Sequence, residues 1–166
     1  MAVVHFVVFL ATVTLVFAQD SGNSTFACGT TCATYSCLEE TAQCGPNGYL
    51  IGFGERNCEN FINPVYYDNF NAQGKDFINC TLVCLTTFLD EYFANHTTID
   101  CNQLMDDAFN SHVACYTSCG FCSVWYTNVI AFVKVFNISD FTSAIAAKTV
   151  VETGWDCLTT PSSWFE

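Results

Sequence analysis

Four of the twelve cysteines fall into two matched pairs, Cys80 and Cys84 in "FINCTLVCL" and Cys115 and Cys119 in "ACYTSCGFC". The members of each pair are one helical turn apart and share a face if their segments are helices. Thiols so placed can ligate a metal, exchange electrons or bridge two helices. Zinc sites gather ligands in short knuckles, and "CGFC", Cys119 to Cys122, is one; no second knuckle follows at finger spacing, and His5, His96 and His112 are scattered. A dithiol redox motif belongs at a helix N-terminus, where the dipole lowers a thiol pKa, whereas this one follows the end of a helical pattern. The bridging reading is numerically coherent. In two antiparallel helices one index rises as the other falls, and Cys84 with Cys115 has the same index sum as Cys80 with Cys119. Both pairs therefore belong to one register, one turn apart, and can bridge if their Cα atoms lie about 4.4 to 6.8 Å apart. Each bridge would close a loop of about thirty to forty residues, worth roughly 3 to 4 kcal/mol in the chain-entropy model, the second adding less than the first.

No other constellation suggests catalysis. "NFNAQG" places Asn69, Asn71, Gln73 and Gly74 in an EF-hand-like rhythm, but the twelfth loop position is Cys80, where a bidentate Glu is required. Neither a nucleophile-elbow nor a metalloprotease motif is present. The reading is a non-enzyme with no cofactor and no metal site. The net charge of −12 repels phosphate backbones and anionic membranes, which argues against a nucleic-acid partner. The acidic residues are scattered, as on a solvated surface.

The elements that must carry these cysteines follow from period and punctuation. Residues 1–18, "MAVVHFVVFLATVTLVFA", read as a signal peptide, with Val16 and Ala18 as the small residues before the cleavage point. The mature chain is then secreted, with no membrane insertion after cleavage, and twelve cysteines suit an oxidising compartment. Residues 19–27 form a flexible leader, 28–157 one disulfide-rich domain and 158–166 a short tail. Cys28 to Cys58 reads as a loop-rich knot with one short helix around the turn "CGPNGY", and "NPVYYDNFNAQG" as an irregular connection closed by Gly74. From Lys75, Phe77, Cys80, Thr81, Cys84, Leu85, Phe88 and Tyr92 form a helical stripe. Asp100 or Thr98 caps the next helix, which carries Cys101, Leu104, Ala108, His112, Cys115 and Cys119 and ends at Gly120. A third apolar run covers roughly 124–136 and reads as helix, its β-branched richness leaving strand as the minor alternative, and Ser139 or Asp140 caps a last helix. The fold class is all-α and disulfide-rich, with an N-terminal cysteine-rich loop region and an antiparallel helix pair.

Sequons stand at Asn23, Asn79, Asn95 and Asn137. Glycans are expected on Asn23, Asn95 and Asn137, while Asn79, next to a cysteine on the stapled helix, is expected to stay bare.

The segment "FNAQGKDFINCTLVCL" resembles the Phe-Asp-x-Gln-Gly-Lys-x-Phe stretch of the stanniocalcins, "CATYSCLEE" is similar to their Cys-x4-Cys-Leu-Glu step, and the intervals Cys101 to Cys115, Cys115 to Cys122 and Cys122 to Cys157 are also similar. The resemblance implies a secreted helical glycoprotein hormone associated with calcium and phosphate homeostasis. It also implies the pairs Cys28 with Cys37, Cys32 with Cys58, Cys44 with Cys101, Cys84 with Cys115 and Cys122 with Cys157. Cys80 and Cys119 are additions to that pattern and form the second staple. The family's inter-chain cysteine has no counterpart, so a covalent homodimer is not expected, although an apolar surface could support a non-covalent one. The functional expectation is a regulator that binds a cell-surface receptor or a secreted protease. The alternative is an extracellular carrier of a lipid or other small apolar ligand, suggested by 51% hydrophobic and 16% aromatic residues.

Overall fold

A computed structural model describes residues 28–135 and 144–159. The signal and leader, Asn23, Asn137, the Ser139/Asp140 cap and residues 160–166 lie outside the described residues. Within them the chain is helical and has no strand. Its longest elements are α4 (Ala72–Asn95), α5 (Cys101–Ser118) and α8 (Ala144–Thr159). Shorter helices are α1 (Ala33–Ala42), α2 (Arg56–Ile62), α3 (Pro64–Tyr67), α6 (Phe121–Val124) and α7 (Val129–Val135).

The central hairpin of α4 and α5 owes its boundaries to local chemistry. Asn71 caps α4, its side chain accepting from Gly74 N at 2.8 Å. The apolar stripe then buries Phe77, Ile78, Leu85, Leu89 and Tyr92. Asp100 caps α5 by accepting from Asn102 N and Gln103 N. Beyond its other end Gly120 takes φ +85°, the left-handed conformation that suits a glycine after a helix.

Two cores lie along this hairpin. Toward the C-terminal half of α4, Leu89 and Tyr92 pack with Tyr35 and Leu38 of α1, Tyr49 and Leu50, and Leu104, Ala108 and Phe109 of α5. Toward its N-terminal half, Phe77 and Ile78 pack with Phe70, Val124, Ala131, Phe132 and Val135. α8 packs along α5, where Thr149 Oγ1 donates to Phe109 O at 3.4 Å.

Three expectations are corrected. The N-terminal region is more helical than a loop-rich knot: a π-helix, Tyr49–Glu55, runs directly into α2. Its wider turn places the apolar residues of "YLIGFGE" outside the 3.6-residue period by which helices are recognised. Gly74 does not close a loop but sits in the first turn of α4, against Asn128. The apolar run 124–136 is not one continuous helix within its described part: Val124 ends α6, and a turn precedes α7, where Asn128, 3% exposed, turns its side chain inward. Asn128 Oδ1 accepts from Asn71 N at 2.9 Å, and its Nδ2 donates to Val124 O at 2.9 Å and to Asn71 Oδ1 at 3.2 Å. One buried amide thus ties the cap of α4 to the start of α7. In addition, α8 reaches Thr159, so the first two residues of the expected tail are helical.

A Cβ on Gly74 would lie 2.7 Å from Asn128 Oδ1, and relief would break the hydrogen bonds that hold that amide. Gly74→Ala is expected to destabilise the protein by roughly 1 to 3 kcal/mol. Gly154→Ala, on an open face of α8, should stabilise it by roughly 0.5 to 1 kcal/mol. Urea unfolding with the disulfides intact measures both.

Candidate functional site: a stapled frame and its exposed apolar face

All twelve cysteines are bridged within the chain: Cys28–Cys37, Cys32–Cys58, Cys44–Cys101, Cys80–Cys119, Cys84–Cys115 and Cys122–Cys157. Cα separations are 5.1 Å for Cys122–Cys157 and 5.6 or 5.7 Å for the other five, inside the usual range. Cys80–Cys119 and Cys84–Cys115 join α4 to α5 one turn apart, both at 5.7 Å. Cys44–Cys101 ties the turn after α1 to the start of α5, and Cys122–Cys157 ties α6 to the last turns of α8. The bridges therefore knit every long helix to another element. Bridged sulfurs offer no thiolate, so the cysteines supply neither a zinc knuckle nor a redox dithiol.

His112, which the sequence shows only as an isolated imidazole, is an internal structural group. It is 4% exposed on α5, with Nδ1 bonded to Ala108 O at 2.7 Å. Since that carbonyl can only accept, Nδ1 carries the proton of the neutral ring. Phe109 stacks on the ring and Tyr49, Phe53 and Tyr116 meet it edge-on. Burial pushes its pKa down to about 4, the backbone bond opposing only weakly. Desolvation raises the pKa values of Tyr35, Tyr49 and Tyr116 in the same way, Tyr35 and Tyr49 sharing a hydrogen bond. All four groups are neutral at physiological pH, and the arrangement has no poised acid–base pair.

The outward face of α7 and α8 is different. Ile130, Val133, Val151, Trp155 and Leu158 are 65% to 74% exposed, and Trp125, Val129 and Val150 are also exposed. Between the two helices runs a groove of about 670 Å³, with Phe121, Trp125, Phe132 and Trp155 among its walls. Thr153, in the same wall, donates to Thr149 O at 2.8 Å, so its hydroxyl is committed within α8. Isolated soluble domains rarely leave an apolar face of this extent to water. Sequence reading identified the apolar run of α7 but not its outward side, which depends on what the remaining helices cover.

Of the sequons within the described residues, Asn95 is the last residue of α4 and is exposed, its Nδ2 donating to Glu91 O at 2.8 Å. Asn79 is also exposed, but lies inside α4 beside bridged Cys80, with Nδ2 on Tyr67 Oη at 3.3 Å.

Fold and site together define an all-α extracellular-type scaffold held by disulfides, whose prominent feature is an exposed apolar face. The Stanniocalcin family model matches residues 13–160, and the chain belongs to that family, a family of secreted hormones rather than enzymes. No curated protein and no solved structure matches the chain. Among the described residues no helix is long and apolar enough to cross a membrane.

Two predictions follow from the frame and its core. With one staple in place, the other closes a ring of only about eight residues, so removing either by paired Cys→Ala substitution should cost about 2.5 kcal/mol; removing both should cost about 6 kcal/mol, more than the sum of about 5, in chemical unfolding. The unfolded chain binds a proton at His112 near pH 6.5 that the folded chain refuses until about pH 4. The contribution of this residue is complete above pH 6.5 and declines by about 3 kcal/mol as pH falls through that window. His112→Phe should flatten that part of the stability-versus-pH curve relative to the unsubstituted protein.

Proposed function

We propose that this protein is a secreted regulator of calcium and phosphate homeostasis that acts by binding a protein partner, a cell-surface receptor or a secreted protease, and performs no chemistry of its own. The observation that carries the reading is the exposed apolar face of α7 and α8, mounted on a frame pinned by six bridges. A surface held rigid by covalent links loses little conformational freedom on association, so its contact area is converted more fully into affinity. Family membership supports the hormone-like role, and the absence of a spare cysteine favours a chain that is not covalently dimeric. Removal of residues 1–18 and glycosylation at Asn95 belong to the same proposal.

A second reading, an extracellular carrier, is favoured by one feature: the groove of about 670 Å³ between α7 and α8 falls within the size range of small-molecule sites and is apolar enough for an acyl chain.

Labelled mature protein added to phosphate-transporting epithelial cells should bind saturably and change phosphate uptake. Val133→Asp and Trp155→Asp should each weaken that binding at least tenfold while leaving the melting temperature within about 2 °C, since both side chains are exposed. Full binding by both variants would sink the role of this face. Stoichiometric lipid in an organic extract of the purified protein, with no saturable cell binding, would favour the carrier.

A further inference from the structure

The inward side of α8 consists of Thr149, Thr153 and Cys157, all buried, with Thr149 bonded to Phe109 O of α5 and Cys157 bridged to Cys122. The outward side carries a second apolar stripe. Ala147, Val150, Val151, Gly154, Trp155 and Leu158 are all exposed, the four largest by 53% to 74%. Among them Ala147, Val151, Gly154 and Leu158 recur at steps of four, three and four residues, the spacing of a two-helix seam. A helix that is apolar on both sides calls for a partner on each. For α8 the inner partner is α5, and no described element covers the outer side.

Gly154 stands in the middle of this outer stripe with no reason for it in its own fold. It does not take a positive φ, and a Cβ there would meet no described atom within 4 Å. Glycine inside a helix costs stability relative to alanine, and what it offers in return on an exposed face is the close approach of another chain.

The order of residues along the stripe points to what approaches. When a helix meets its own copy antiparallel across a two-fold axis, facing positions share one index sum, as the staple cysteines do within the chain. Ala147 with Leu158 of a second copy, Val150 with Trp155 and Val151 with Gly154 all have the same sum, so the six exposed apolar residues fall into one register. Each pair sets a smaller side chain against a larger one. Lys148 lies one position from that register with Asp156 of the second copy, which places opposite charges together on both sides of the axis. With Lys148 against Glu152 and Asp156, α8 carries only −1 of the net −12 of the chain, so two acidic copies meet there with little local repulsion.

We propose that α8 is a homodimer seam, in which two copies pack their outward stripes antiparallel about a two-fold axis between Val151 and Gly154, without a covalent link. Two such stripes bury on the order of 1,000 Å², near the lower limit of a specific interface, so the affinity is micromolar. An isologous contact of this kind closes at two copies. The seam goes beyond the partner-binding role proposed above and does not rest on it: self-association is read on the purified protein, so its failure leaves the cell-binding result standing, and the reverse.

Sedimentation velocity of the mature, disulfide-intact protein from about 1 to about 200 µM tests the seam. The average mass is expected to rise to twice that of the monomer and stop there. Gly154→Ala should weaken the dimer about tenfold while stabilising the monomer, because the added methyl takes the place of Val151 of the second copy. Val151→Asp should stay monomeric over the whole range with an unchanged far-ultraviolet circular dichroism spectrum, and Ile130→Asp, on the exposed side of α7, should dimerise as the unsubstituted protein does. A chain that stays monomeric at the highest concentration, that assembles beyond two copies, or whose dimer survives Val151→Asp and Gly154→Ala overturns the proposal, as does a dimer lost in Ile130→Asp.

Discussion

The rest of the structure depends on the double link between α4 and α5. A single bridge between two helices leaves a pivot; a second, one turn along in the same register, removes it. The hairpin becomes a rigid bar, and each core is assembled against one end of it. The N-terminal α1 and the π-helix fold against the far half of α4, α6 and α7 against the near half, and α2 spans both, Cys58 meeting the first core and Phe61 the second. Cys44–Cys101 then clamps the N-terminal layer to the bar, and Cys122–Cys157 joins α6 to α8.

This covalent frame explains how so much apolar surface can remain outside. A domain of this size ordinarily needs its large hydrophobic residues in the core, yet Ile130, Val133, Trp155 and Leu158 face solvent. Bridges restrict the unfolded chain and so lessen the dependence of stability on burial. The net charge of −12 keeps such a molecule dispersed by mutual repulsion. A stanniocalcin-family chain built in this way can leave an apolar face exposed without collapsing onto it.

The buried polar groups are of two kinds. Asn128 and His112 are satisfied locally and specify packing: one sets the junction of α4 with α7, the other fills an aromatic cage as a neutral ring. Thr81 is different because its hydroxyl finds nothing in the chain itself.

Much of the frame was legible in the sequence, because helix geometry is a local property. The spacing of Cys80, Cys84, Cys115 and Cys119 carries a register with it, Asp100 and Gly120 mark helix ends by their own chemistry, and the stripe from Phe77 to Tyr92 declares a buried face. The π-helix was not legible, since its period differs from the one that apolar spacing reveals, and Gly74 read as a loop residue because its reason, the approach of Asn128 from another helix, is 54 positions away in the chain. Types, caps and cysteine register were thus determined by the sequence itself. Which side of α7 and α8 stays uncovered, and where Thr81 is left without a partner, were decided only by the tertiary structure, because exposure and hydrogen-bond satisfaction belong to the packed assembly and not to any one segment.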